Sequence, residues 1–558
     1  MAGMEQEFKT VVDQLTGPGA PWEVLRDEHD IAYYKLAPEN LVQALEVARE
    51  HGDREFLVYE GERRSFARLM AEADAMAAAL QAQGIKPGDR VGLAMRNYPE
   101  WMTVFIAVVT IAAVIVPINS WGKPADIIHA LGDADVRLAV LDQARYNGVA
   151  HWLEANDVAA LIARPEDADD PLSLATFVAG FQGAPPPQVA IDGEDLALIM
   201  YTSGTSGAPK GAASTHRAMC QALYNFEFAA AAAAMCNMDR ISAMLERGFE
   251  STSLLAVPLF HVSGCHAQFL TNLRGGRRIV MMYKWDVDQA LEAIEQERIT
   301  AIAAAPSMVL DLLESPGFDR ADTSSLFSIG VGGAATPRRA RELIEAKMPT
   351  NFSGTGWGMT ETNAQGASLT GKAFGARPGS AGLPHPIVDI RICDEGGEEA
   401  TAGETGEIWV RSVCNIREYW HRPEANATDF RDGWLKTGDI GYLDADGYLY
   451  LADRAKDMII RGGENIYPAE IENLLLGLPE IREVAALGVP HERWGEEVAV
   501  IVRLHEAGGL DEEGLLEYAR AHLAAYKVPA RVVFSSEPFP RTATNKVLKA
   551  KLRDRLSG

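Results

Sequence analysis

From about residue 40 the apolar positions of the chain follow two alternating spacings. Residues 41–51 and 66–83 repeat them at helical intervals, whereas Arg90-Val-Gly-Leu-Ala-Met95 and Val136-Arg-Leu-Ala-Val-Leu141 are short runs of the length of buried strands. Such alternation predicts an α/β sheet with helices on its faces. It resumes at Leu254-Leu-Ala-Val-Pro258, Arg278-Ile-Val-Met-Met282 and Ala301-Ile-Ala-Ala-Ala305. After about residue 380, Gly and Asp punctuate short strands such as Gly406-Glu-Ile-Trp-Val410 and Gly447-Tyr-Leu-Tyr-Leu451, which predicts a smaller β subdomain. A further compact unit starts at Ile459, with helices over 468–476 and 512–524 and strands over 484–489 and 498–503.

Two stretches need separate treatment. Residues 101–118 are uncharged and nearly long enough to cross a bilayer, but Thr103, Thr110 and the ending Pro117-Ile-Asn119 predict a buried helix running into a strand. The alanine run at 228–235 favours helix. The polar stretch that follows, to Ser253, reads as a loop or lid with Arg240, Glu246, Arg247 and Glu250.

At 558 residues the chain exceeds one hydrophobic core and is expected to hold at least two domains. Its net charge of −26 excludes nonspecific nucleic-acid binding as a function, yet leaves room for an anionic ligand held by local charge. The five cysteines form no C-x-x-C pair, so neither a disulfide framework nor a zinc site is expected. The first residues lack the basic start and apolar core of a signal peptide, and the expected location is cytoplasmic, with no membrane span.

Chemistry concentrates in four segments. After the strand-like Leu196-Ala-Leu-Ile-Met200, the chain reads Thr202, Ser203, Gly204, Thr205, Ser206, Gly207, then Pro209-Lys210-Gly211. Glycines let backbone N–H groups turn toward an anion, hydroxyls add donors, and Lys210 adds a point charge, so the segment reads as a phosphate loop; the alternative is a Gly/Ser-rich surface turn. Its spacing departs from G-x-x-x-x-G-K-[ST]. The second segment is Gly354-Thr355-Gly356-Trp357-Gly358-Met359-Thr360-Glu361, where Thr360 and Glu361 offer hard oxygens suited to Mg²⁺; the alternative is a glycine-rich turn with Thr360 as a helix N-cap. In the third, Asp439 could accept from vicinal ribose hydroxyls, with Arg454 nearby; the alternative is a hairpin with surface ion pairs. The fourth is Pro540-Arg-Thr-Ala-Thr-Asn-Lys546, whose lysine by itself carries no claim.

Taken together and in this order, these segments resemble the ANL adenylating superfamily of acyl-CoA synthetases, peptide-synthetase adenylation domains and luciferases. Pro258-Leu-Phe-His-Val-Ser263, Gly332-Gly333-Ala334-Ala335 and Asp453-Arg-Ala-Lys-Asp457 extend the resemblance over nearly the whole chain. It implies a large N-terminal domain over 1–455, with the β subdomain at about 380–455, and a small mobile α+β C-terminal domain over 456–558. It also implies a hinge at Lys456, an adenylation lysine at Lys546, and an adenine and acyl pocket lined by Gly332, Gly333, Ala334, Ala335, Thr336 and residues 355–360. Thr205 and Glu361 are the implied metal ligands and, with His261 and Lys546, the implied catalytic set. The loop carrying Gly462 and Gly463 is implied to admit the pantetheine arm of coenzyme A.

The implied reaction uses ATP, Mg²⁺ and coenzyme A to turn a small carboxylic acid into an acyl-adenylate and then a thioester. Loading of a carrier protein is the alternative, and a non-catalytic scaffold a further one that Lys546, Glu361 and Asp439 argue against. His261 stands where amino-acid-activating relatives carry an aspartate, so an amino-acid substrate is not expected; it reads either as a pocket gate or as a core histidine. Val262, Gly264, Cys265, Val331, Trp357 and Met359 are expected to make an apolar pocket. Asn545 replaces the glycine usual before the catalytic lysine, and asparagine tolerates left-handed backbone. The expected oligomer, if any, is a homodimer.

Overall fold

The computed structural model describes residues 2–202, 209–334, 336–348, 350–505 and 509–556. Besides a two-stranded ribbon, the described strands form sheets of seven, fourteen and five. In the seven-stranded sheet, Arg90–Ala94 lies centrally and parallel to both Val114–Pro117 and Leu138–Asp142. Leu196–Thr202 adds on beyond Val114–Pro117, and Lys210–Thr215 folds back antiparallel to it. The larger sheet runs parallel through Glu55–Tyr59, Arg278–Met281, Thr252–Leu255, Ala301–Ala304, Ser328–Val331 and Gly354–Gly358. This is the α/β architecture expected from the alternating spacings.

The apolar run at 101–118 is the helix Pro99–Thr110 followed by the strand Val114–Pro117. Trp101 and Phe105 stack with centroids 5.5 Å apart, and Phe269 meets both edge-on within the main core. The helix is apolar all round because protein covers every side. No described helix is long and apolar enough to cross a membrane.

The strands after residue 380 continue the larger sheet instead of forming a separate one. Ser380–Pro384 pairs with Gly366–Thr370 on one side and Leu449–Arg454 on the other. Ile459–Arg461, Glu464–Ile466, Ile481–His491, Gly495–Leu504 and Arg531–Phe534 make the five-stranded sheet, which has two hydrophobic clusters of its own.

The stretch read as a loop or lid is largely the helix Met238–Glu246. It is tied down: Arg240 donates to the Asn351 carbonyl, Arg247 to the Ser324 carbonyl (3.2 Å), and Asp239 pairs with Lys372 (2.8 Å). Its many charged positions obscured the apolar spacing of Ile241, Met244 and Leu245.

Candidate active site

The site is assembled where several strand ends meet. Ser203, Gly204, Thr205, Ser206 and Gly207 lie outside the described residues, as does Ala335. Their flanks are described: Thr202 and Lys210 stand opposite each other across the antiparallel pair. Lys210 Nζ donates to Asp429 (2.8 Å) and lies 4.0 Å from the Tyr419 ring centroid. Tyr419 belongs to the strand Glu418–Tyr419, which borders Lys210–Thr215. Its hydroxyl donates to Glu361 Oε1 (3.1 Å). Tyr419 and Asp429 belong to no motif and were missed in the sequence; only the strand pairing brings them here.

Glu361 is buried in a tight turn held by left-handed Asn363 and Ala364 (φ 49° and 64°). Burial raises its carboxyl above the ordinary value, against the Tyr419 hydroxyl and the charges of Lys210 and Arg454. Among the described residues no three His, Cys, Asp or Glu side chains converge as a metal cage. A single buried carboxylate fits a hard divalent cation that takes its other ligands from phosphate and water.

The third segment closes the opposite wall. Asp439 and Arg454 are register partners on adjacent strands and form an ion pair (3.2 Å), while Trp357 Nε1 donates to the other Asp439 oxygen (2.8 Å). A carboxylate accepts about four hydrogen bonds, so Asp439 keeps capacity for sugar hydroxyls. Next to it, the Thr336 and Thr355 hydroxyls bond each other (2.8 Å), and Thr355 donates to the Val331 carbonyl (3.0 Å). A cavity of about 270 Å³ opens there, lined by Ala334, Thr336, Thr355, Gly356, Ala381 and Leu451. Gly358 is required by crowding, since a Cβ there would stand 2.5 Å from the Ala364 carbonyl oxygen.

Lys546 reaches this wall from the far end of the chain. Its Cε would lie 3.7 Å from a Cβ built on Gly333. Burial, then repulsion from Arg454, lowers its ammonium to about 8 from the ordinary 10.5; Asp439 and Glu361 pull the other way, and Lys456 adds repulsion. These groups therefore share one electrostatic field. His261 also senses Lys546: burial first, then that charge, lowers it to about 3, so the ring is neutral. It caps the short helix Val262–Gly264 and bonds Ser263 Oγ (3.0 Å) through Nδ1. Asn545 is left-handed (φ 64°), as its replacement of glycine requires.

Other expectations fall elsewhere. The residues grouped as one apolar pocket divide among separate cores: Val262 and Cys265 in one, Val331 in another, Trp357 in a third. Gly264 is there for packing, because a Cβ would come within 2.2 Å of the Pro258 carbonyl oxygen. Gly462 and Gly463 form the turn between Ile459–Arg461 and Glu464–Ile466, with positive φ of 62° and 91°. Gly462 donates to the Trp494 carbonyl (2.8 Å).

Comparison with known proteins places this geometry. The model of the AMP-binding enzyme family matches residues 45–420, and that of the AMP-binding enzyme C-terminal domain matches residues 470–546. Feruloyl-CoA synthase of an Amycolatopsis species is 34% identical over 493 residues, covering 88% of this chain and 94% of that protein. A long-chain-fatty-acid–CoA ligase of Mycobacterium tuberculosis (strain ATCC 25618 / H37Rv) is 32% identical over 508 residues, covering 89% and 93%. Among solved structures, o-succinylbenzoate CoA synthetase of Bacillus subtilis with its acyl-adenylate intermediate gives a TM-score of 0.74 at 29% identity, over 92% of this chain and 97% of that one.

Proposed function

The chain belongs to the AMP-binding enzyme family, and from that premise we propose how its residues carry out the reaction of an AMP-forming acid–thiol ligase. A carboxylate oxygen attacks the α-phosphorus of ATP, pyrophosphate leaves, and an acyl-adenylate forms. The thiolate sulfur of coenzyme A then attacks the acyl carbon, and AMP leaves. Negative charge crowds the first transition state, so positioning and electrostatic stabilisation are the main contributions expected of the protein.

The observation that carries the assignment of roles is the convergence of Lys546 with Gly333, Arg454, Asp439 and Glu361. Lys546 bridges the acid's carboxylate and the α-phosphate. Lys210 and the hydroxyl-rich loop, including Thr205, hold the β- and γ-phosphates, and Asp439 takes the ribose hydroxyls. Gly333, Ala334, Ala335 and Thr336, with Thr355 to Thr360, flank the base and the acyl group. Glu361 and Thr205 would hold Mg²⁺, which when bound neutralises the triphosphate. Neutral His261 borders the acyl side, where no carboxylate among its resolved partners would pair a substrate ammonium. The substrate class is therefore an aliphatic or aryl acid.

The small domain begins at Lys456, and its rotation would carry Lys546 away and bring the loop with Gly462 and Gly463 to the thiol. Burying the adenylate between the domains also keeps it from water. The reading carries with it a cytosolic setting and a homodimer as the simplest assembly. AMP formation should be measured with a panel of fatty and aromatic acids, with and without coenzyme A. Acid-dependent AMP with coenzyme A is expected. AMP formed only with a carrier protein would replace thioester formation on coenzyme A, and no acid-dependent AMP would refute the reaction.

A further inference from the structure

The residue before Lys546 does more than permit a left-handed turn. Asn545 Nδ2 donates to Ser307 Oγ (3.0 Å), and Ser307 Oγ donates in turn to the Asn545 carbonyl (3.3 Å). One hydroxyl thus grips both the side chain and the main chain of a single residue. Ser307 lies in the first turn of the helix Pro306–Glu314, in the large N-terminal part, whereas Asn545 belongs to the tail loop. Arg541 braces the same carbonyl (2.9 Å) while bonding Glu483 (2.5 Å) on the small sheet. The loop is also closed on itself, with Thr542 N donating to the Lys546 carbonyl (2.8 Å) and Lys546 N to Thr542 Oγ1 (3.1 Å). A force on Asn545 is therefore transmitted directly to Lys546. Across the same boundary Arg339 donates to the Ile481 carbonyl (3.2 Å), two residues from Glu483 on the same strand, but it touches neither Asn545 nor the Lys546 loop.

We propose that Ser307 and Asn545 form a latch that holds the Lys546 loop against the large domain for acid activation and opens before thiol transfer. A glycine at 545 would keep the backbone shape and lose the amide donor. The two residues are positioning residues: neither touches the reacting atoms, and both act through Lys546. The inference rests on the reading of Lys546 given above and adds that this chain biases its own domain equilibrium. A hydrogen bond of ordinary net strength shifts an equilibrium about 2- to 12-fold. Only interactions made in one arrangement and not the other produce such a bias.

The test uses the full-length protein with Asn545→Gly, Ser307→Ala and the double variant. Two single-turnover half-reactions are followed: pyrophosphate release from ATP plus acid, and thioester formation from presynthesised acyl-adenylate plus coenzyme A. Each single variant should slow the first about 3- to 10-fold and leave the second unchanged or faster. The double variant should be no slower than Ser307→Ala alone, because Ser307→Ala removes both hydrogen bonds and Asn545→Gly only the one from its amide. Equal losses in both half-reactions, an unchanged first half-reaction, or fully additive losses would overturn the latch. Lys546→Ala is run alongside. If it loses the first half-reaction while Asn545→Gly does not, the latch alone fails; if it retains that half-reaction, the assignment of Lys546 fails with it.

Discussion

Replacing Lys546 with methionine should make the free protein more stable and far less active. The substitution removes the ammonium and keeps an unbranched apolar stem. That ammonium is lowered from 10.5 to about 8, first by burial and then by Arg454. A shift of that size corresponds to about 3 kcal/mol of disfavour for the charged form. The sign follows from linkage. Below about pH 8 the folded chain carries the charge at that disadvantage relative to the unfolded chain. Between about 8 and 10.5 the folded form gives up the proton while the unfolded form keeps it, so this group's contribution to stability rises with pH. Methionine removes the disadvantage at neutral pH, and the small domain should melt higher by up to about 3 kcal/mol of stability. Acid-dependent pyrophosphate release should fall about 10²- to 10³-fold, the usual effect of losing one transition-state donor. Thermal denaturation and a pyrophosphate assay on the same preparation check both signs. A variant that is inactive but melts lower would point to misfolding, and one that releases pyrophosphate at near-normal rate would refute the role of Lys546.

In the wild-type protein, kcat/KM of the acid-activating half-reaction should decline as pH rises through about 8, where free Lys546 loses its proton. Lys546→Arg keeps its charge and should show no such decline, whatever its absolute rate. Glu361→Gln should raise the Mg²⁺ concentration for half-maximal rate about 10-fold or more without lowering the melting temperature, since burial already favours the neutral carboxyl; an unchanged Mg²⁺ requirement would remove Glu361 from the metal site. Asp439→Ala leaves Arg454 and Trp357 Nε1 without their acceptor. It should raise the KM for ATP about 10- to 100-fold, the range for hydrogen bonds to a charged group, with a smaller effect on kcat.

The legible part of this protein is local. Strand runs such as 90–95 and the helix Phe66–Ala82 declare themselves by spacing, and the uncharged run at 101–118 resolved correctly because its threonines and terminal proline mark a helix entering a strand. Asn545 was readable as left-handed because few other residues adopt that backbone readily. What escaped depends on contacts between distant segments. Tyr419 matters only because its two-residue strand lies beside Lys210 and points its hydroxyl at Glu361. Val262, Val331 and Trp357 are close to motif residues along the chain, yet each packs into a different core. Met238–Glu246 was obscured because Arg240 within it and Arg247 just after it serve as anchors to other loops. The meeting of Lys546 with Gly333 lies outside any local pattern, and only resemblance to a family anticipated it.

Bond-by-bond tracing of the acid's oxygen is the most direct examination of the whole scheme. With a carboxylic acid labelled with ¹⁸O in its carboxylate, the attack described here transfers one labelled oxygen to each AMP formed, detectable by mass spectrometry. Labelled AMP with unlabelled pyrophosphate is the predicted result. Label recovered in pyrophosphate, or AMP free of label, would mean that the acid does not attack the α-phosphorus at this site.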